Sequence, residues 1–261
     1  LDQGIYIAAS GSLKQEKMME ALANNLANVN TSGFKKDLLA FEAISSDFNK
    51  TAQTGPKPIS FSKGFGKDKN LYPALATLKT DFSPGQVVKT GNPLDIAIEG
   101  QGFLEVQTNE GPRYIRSGSF RFNQKRELTT PDGDLVMGQT GPIMIAPASQ
   151  DFSIDKDGQI IVSNGSGATP VGNLKIVDFP DYGVLEKSGV NYFKETGQKS
   201  TAKPAENFEV LQGGLESSNV NVAMEMVRMI EVTRGYESYQ KVIQSIDNLN
   251  NKAVNEVSRI A

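Results

Sequence analysis

The sequence predicts an α+β chain: N- and C-terminal helices that pair in a coiled-coil layer, a central all-β domain, and an extended connector. Three patterns predict it. A one-sided apolar series lies near the N-terminus, an apolar period of 3.5 residues lies near the C-terminus, and short alternating runs separated by turn residues lie between them. The corresponding divisions are 1–35, 36–83 for the connector, 84–212 for the all-β part, and 213–261.

From Gly4 to Val29 there is no proline and few β-branched residues. The apolar series Ile5, Ala8, Ala9, Leu13, Met18, Met19, Leu22, Leu26, Val29 marks one helical face. It should stop at Asn30-Thr31-Ser32-Gly33, where Gly33 can take the left-handed conformation of a helix end. Asn24, Asn25, Asn28 and Asn30 are unusual for a helix, because Asn competes for backbone hydrogen bonds. They read either as a frayed helix end or as amides that bond to neighbouring chains.

After the first helix, residues 45–83 are rich in Lys, Gly, Pro and Ser, without sustained periodicity, which gives the extended connector. Between about 84 and 212 come the alternating runs, among them Leu94–Ile98, Phe103–Val106, Tyr114–Arg116, Asp134–Met137 and Gln159–Val162. Asn109-Glu110-Gly111, Pro131-Asp132-Gly133 and Asp157-Gly158 supply turns that tolerate positive φ. Glu195–Pro204 reads as a long loop.

The C-terminal period is the clearest in the chain. With position a at Val222, Met229, Tyr236, Ile243, Asn250 and Val257, and d at Glu225, Val232, Tyr239, Ile246, Ala253 and Ile260, only Glu225 and Asn250 break the seam. A seam at 3.5 spacing argues for a coiled coil. The helix would reach about 58 Å at 1.5 Å per residue.

Composition narrows the chemistry. There is no Cys and no His, which excludes disulfides, thiol nucleophiles, Cys/His zinc sites and Ser-His-Asp triads. The net charge of −3 makes no electrostatic case for nucleic acid or an anionic membrane, and hydrophobic residues at 38% suffice for a core. The N-terminal residues lack a basic region followed by an apolar run, so a Sec signal and an integral membrane protein are not expected.

The catalytic-looking motifs fail on context. Ser60–Lys63 and Ser200–Lys203 match S-x-x-K, and Lys89-Thr90-Gly91 matches K-T-G, but the two serines lie in polar loop sequence rather than at a buried helix start. Asp155-Lys156-Asp157-Gly158 resembles part of a calcium loop, yet its twelfth position counted from Ser153 is Asn164, and the flanking apolar residues favour a hairpin. Gly64–Lys67 lacks the spacing of a phosphate loop. No catalytic, metal or cofactor-binding residue is assigned, and an enzyme is not expected.

Association is expected instead. An apolar seam at each end exceeds what one β-module can cover, and outer apolar positions Met226, Ile230, Val242 and Leu249 lie off that seam. The candidate interface on the first helix is Ile5, Met19, Leu22, Asn25, Leu26, Asn28 and Val29. On the second it is Val222, Met229, Val232, Tyr236, Tyr239, Ile243 and Ile246. Residues about 1–35 and 216–261 are expected to be poorly ordered in a dilute monomer and to fold when subunits meet. A β-module on a coiled-coil stalk, such as an adhesin or fibre tip, is the rival reading.

Three segments also carry a resemblance. Asn24-Asn25-Leu26-Ala27-Asn28-Val29-Asn30-Thr31-Ser32-Gly33-Phe34-Lys35 resembles the N-terminal signature of the bacterial flagellar axial proteins of rod and hook. Asn92–Phe103 is similar to that family's lead-in to its β-domain, and Leu215–Asn221 is similar to its C-terminal signature. Length and a single β-domain fit the basal-body rod type, FlgF/FlgG, better than the hook type, which stays the alternative. The resemblance implies export by the flagellar type III apparatus without a Sec signal. It further implies helices lining a hollow shaft in the periplasm, and partners that are copies of the chain and other axial proteins.

Overall fold

A computed structural model describes residues 2–44, 72–145, 151–164, 167–197 and 201–260. The chain forms two compact units: Leu1–Asn24 with Leu38–Lys79 and Ala223–Ala261, and Asn25–Asp37 with Thr80–Val222.

The helical unit is built on α1 (Asp2–Ala27) and α2 (Val222–Ile260). Both follow from the apolar periods of the sequence, and α2 spans the expected residues. The helices meet through small residues on one facing large ones on the other. The Tyr239 ring lies over Gly11, so that a Cβ there would overlap it, and Ile246 Cδ1 lies 3.4 Å from where a Cβ on Gly4 would stand. Gln15 Nε2 is 2.6 Å from the Cβ position of Gly235, and Thr233 Oγ1 is 3.8 Å from Met19 Sδ. Numbers rise along α1 as they fall along α2, so the pair is antiparallel. Among the described residues no helix is long and apolar enough to cross a membrane.

The same unit contains all but the end residues Asp37 and Thr80 of a two-stranded ribbon, Asp37–Ile44 with Tyr72–Thr80, inside the segment 36–83 expected as an extended connector. The pairing escapes a local reading because the partners lie far apart in sequence and Pro73 disguises the second strand. The intervening residues 45–71, with Ser60–Lys63 and Gly64–Lys67, lie outside the described residues.

The β-rich unit consists of antiparallel sheets, the largest with ten strands. Its central strand Phe103–Thr108 pairs with Gly111–Ile115, Leu135–Gly138 and Ile176–Asp178. Leu104 and Val106 face a core with Ile96, Ile98, Phe120 and Val136, while Phe103 belongs to an aromatic cluster with Tyr114, Phe179 and Phe193. Covered on both faces, its first four residues Phe103–Val106 read as an apolar run broken only by Glu105, which Lys175 pairs at 2.7 Å. Asp95–Gly100 lies between Phe208–Gln212 and Ser117–Ser119.

Asp155–Gly158 is a hairpin turn. Ile154 faces Ile160, and the Asp155 carboxylate accepts from Asp157 N–H and Gln159 N–H. The span Glu195–Pro204 read as a loop ends in Lys203–Pro204, which pairs with Val177 and Asp178. Ser200, of the second S-x-x-K match, lies outside the described residues. Lys89-Thr90-Gly91 forms a corner in which Thr90 Oγ1 donates to Asp95 at 2.7 Å.

Candidate assembly surface and its anchoring junction

The two helices bury little of what they carry. Leu22 and Val232 are buried, while Ile5, Met19, Met229, Tyr236, Tyr239, Ile243 and Ile246 are half-buried and Val222 is exposed. Glu225, which interrupts the seam, is buried and held by Arg228 at 3.3 Å. Outside the seam, Met226, Ile230, Val242 and Leu249 are exposed, as are Val227 on α2 and Ile7 and Leu13 on α1. This is large apolar surface left in water by a single chain.

The Asn-rich end of α1 has a different use for one of its amides. Asn25 is buried, donates from Nδ2 to Asp37 O and accepts from Asp37 N–H, both at 2.9 Å. Its side chain thus imitates a strand partner for the backbone at Asp37. Asn28 Oδ1 accepts from Thr31 Oγ1 at 3.3 Å, in a turn running from Ala27 to Gly33, and Leu26 and Val29 are half-buried. Gly33 has φ +71°, and its Cβ position is 3.0 Å from Ser117, so conformation and space both call for glycine.

Beyond that turn the chain enters a buried charged junction. Glu216 uses every polar group it has. Oε1 accepts from Lys35 Nζ and from Gly85 N–H, each at 2.7 Å, and Oε2 accepts from Arg116 Nε at 2.8 Å. Its carbonyl accepts from Gly33 N–H at 2.7 Å, and its own N–H donates to Ser117 Oγ at 3.2 Å. Arg116 also donates to the carbonyls of Gly100 and Gly102, and Lys35 to Ser83 O at 2.8 Å. Burial pushes the Lys35 ammonium below its ordinary range, with the Glu216 carboxylate opposing that shift.

A second ring of bonds surrounds the first. Asn219 Oδ1 accepts from Lys36 N–H at 2.8 Å, while its Nδ2 donates to Asp81 O at 2.8 Å and Ser83 O at 3.1 Å. Lys187 reaches Asp37 Oδ2 at 2.7 Å and lies 4.1 Å from the Phe34 ring centroid. Burial lowers the Lys187 pKa, against the raising effect of Asp37. Lys35, Glu216 and Asn219 stand inside the signature segments quoted above, but an isolated charge shows no period, so pattern reading did not single them out. Arg116 gave no signal beyond ending a short strand run.

Helices at both chain ends with exposed apolar faces, and signature segments that converge on one buried junction, are the features of a structural subunit rather than of a chain built around a pocket. Comparison with known proteins gives the particular family. Residues 5–35 match the family described as Flagella basal body rod protein, residues 97–162 the Flagellar hook protein FlgE/F/G D1 domain, and residues 211–256 the Flagellar basal body rod FlgEFG protein C-terminal. The chain is 33% identical to the flagellar basal-body rod protein FlgF of Caulobacter vibrioides, over 100% of both chains. It is 34% identical to FlgG of Buchnera aphidicola subsp. Baizongia pistaciae, over 94% of this chain and 96% of that one, and 31% identical to FlgG of Bacillus subtilis, over 97% and 98%. The chain belongs to the flagellar basal-body rod protein family.

Proposed function

We propose that this chain is a non-enzymatic subunit of the flagellar basal-body rod and polymerises with copies of itself and other axial proteins into a hollow drive shaft. In this reading α1 and α2 pack as a coiled-coil layer that encloses the export channel. The part from 84 to 212 faces outward, 36–83 connects the two, and the rod carries torque across the periplasm. The subunit reaches its place through the flagellar type III apparatus rather than by Sec. The observation that carries the proposal is the exposed apolar surface of both helices in a chain whose relatives are named rod proteins.

The test is Ile243→Asp, which puts a charge into the half-buried seam of α2 while leaving the β-rich unit untouched. Basal bodies isolated from cells carrying the variant should lack this subunit, and the cells should not swim. Normal rods and normal motility would sink the proposal.

A further inference from the structure

Among the described residues Arg126 alone, glycines aside, has a positive φ, +65°. It sits in the loop of a hairpin of the β-rich unit whose arms pair Arg121 with Thr129 and Phe122 with Leu128. Asn123 closes that loop from within. Its Oδ1 accepts from Lys125 N–H and Glu127 N–H, each at 2.9 Å, and its backbone carbonyl accepts from Arg126 N–H at 3.0 Å. Arg126 O in turn accepts from Ile145 N–H at 3.0 Å. These bonds impose a left-handed conformation on a residue that disfavours it, where glycine would rest without strain. Strain kept in place this firmly points to a use for the side chain.

That side chain is positioned but not neutralised. The guanidinium lies 4.9 Å from the Phe122 ring centroid, and its Nε is enclosed without a hydrogen-bond partner. Phe122 in turn meets Phe152 edge to face at 5.8 Å. Lys125 in the loop and Arg121 at its base are exposed, and among the described residues no carboxylate pairs with any of the three cations. Glu127, the acid of the same hairpin, accepts from Asn123 Nδ2 at 2.7 Å instead. Arg113, Lys156, Lys175 and Lys194 of the β-rich unit each have an acid partner, so this hairpin departs from its surroundings. Met144, bridged to Glu127 through the backbone, is 53% exposed.

We propose that this loop is a docking site for an acidic segment of a partner protein: Arg126 and Lys125 receive its carboxylates, and Met144 with the Phe122 edge receives an adjoining apolar side chain. Charge selects an anion, because three cations stand with a single engaged acid on a chain whose net charge is −3. A stacked guanidinium presents a planar fork that meets a carboxylate through two hydrogen bonds. The apolar surface selects protein, because a phosphate polymer has nothing with which to cover Met144. A fixed backbone and a stacked side chain also lose little freedom on docking.

The test titrates the full-length chain, by calorimetry, with a short oligoglutamate peptide interrupted by leucines and, separately, with inorganic polyphosphate. The peptide should bind, less tightly as salt is raised, and Arg126→Gly combined with Lys125→Ser should weaken it about tenfold or more. Arg126→Gly alone separates recognition from folding. It relieves the backbone, so the thermal midpoint should stay level or rise while binding falls. No binding of the peptide, undiminished binding by the variants, or tighter binding of polyphosphate overturns the proposal. A midpoint lowered by Arg126→Gly overturns it too, by assigning the arginine to the fold.

Discussion

Lys35 Nζ lies 2.7 Å from Glu216 Oε1, although the two stand 181 positions apart in the sequence, and both side chains are 1% exposed. Arg116, from the centre of the sequence, closes the cluster on the other carboxylate oxygen at 2.8 Å. The three quoted signature segments therefore share one buried node: Lys35 ends the first, Arg116 holds the carbonyls of Gly100 and Gly102 in the second, and Glu216 belongs to the third. A terminal segment that supplies half of a buried ion pair cannot leave without stranding the other half.

Glu216 is the member whose loss costs most. Glu216→Ala leaves two buried cations without an acid and should destabilise the β-rich unit by about 3–5 kcal/mol. Lys35→Met should cost less, because Arg116 still neutralises the carboxylate. Urea unfolding of the full chain, followed by near-ultraviolet circular dichroism of the tyrosines, measures both; equal effects would contradict this ranking.

Asn25 substitutes for a strand at Asp37. Asn25→Ala removes one donor and one acceptor and leaves the Asp37 N–H and C=O to find other partners, at a cost of about 1–3 kcal/mol per buried group left unpaired. Exchange of the Asp37 amide hydrogen should quicken at least tenfold in the variant. An unchanged exchange rate would show that the amide is protected by something else.

Gly11 is small because Tyr239 lies on it. Gly→Ala inside a helix ordinarily stabilises by about 0.5–1 kcal/mol. Here the Cβ meets the tyrosine ring, so Gly11→Ala should weaken the pairing of α1 with α2, and Gly11→Ala combined with Tyr239→Ala should recover part of the loss. Helicity at 222 nm on heating reads the result, and a gain from Gly11→Ala alone would contradict the packing.

Alkaline pH should act through Tyr182. Burial, with help from the Asp178 carboxylate that accepts its O–H at 2.9 Å, pushes its pKa from 10.0 up to about 12. The folded value lies above the unfolded one, so its contribution is complete below pH 10 and is lost as pH climbs from 10 to about 12. Burial raises Tyr192 likewise, while the lowered pKa of Lys35 works the other way, easing its burial as pH approaches 10.5. Urea titrations across this range should therefore show a shallower loss of stability in Tyr182→Phe than in the unaltered chain.

Legibility in the sequence follows the range of the interaction. The α2 seam and the Asp157-Gly158 hairpin were readable because period and turn chemistry act over a few residues. The ribbon of Asp37–Ile44 with Tyr72–Thr80 was not, since its partners lie far apart in sequence. The junction was half visible: Lys35 and Glu216 lay inside recognisable segments, but their contact depends on the closed fold. Asn25 is odd for a helix by residue type alone, yet its use as a partner for the Asp37 backbone depends on where the turn at Gly33 carries the chain, which no local pattern specifies.

The junction also moves the expected border between order and disorder in the dilute monomer. From sequence, disorder would extend through about residue 35 and resume at 216. Yet Phe34, Lys35 and Glu216 are almost fully buried, Asn25 is bonded to Asp37, and Val220 is buried, all within the β-rich unit. The helical segments beyond them, 4–22 and 226–252, leave large apolar residues in water. Hydrogen exchange on dilute, verified monomer should find fast amides in those helical segments. Phe34, Lys35 and Asp37 should be protected with the β-rich unit, giving borders near residues 24 and 223 rather than 35 and 216. Amides at 34–37 that exchange as fast as those of α1 would show that the Lys35–Glu216 pair does not hold the N-terminal segment. Slow exchange throughout both helices would show instead that they need no neighbour to fold.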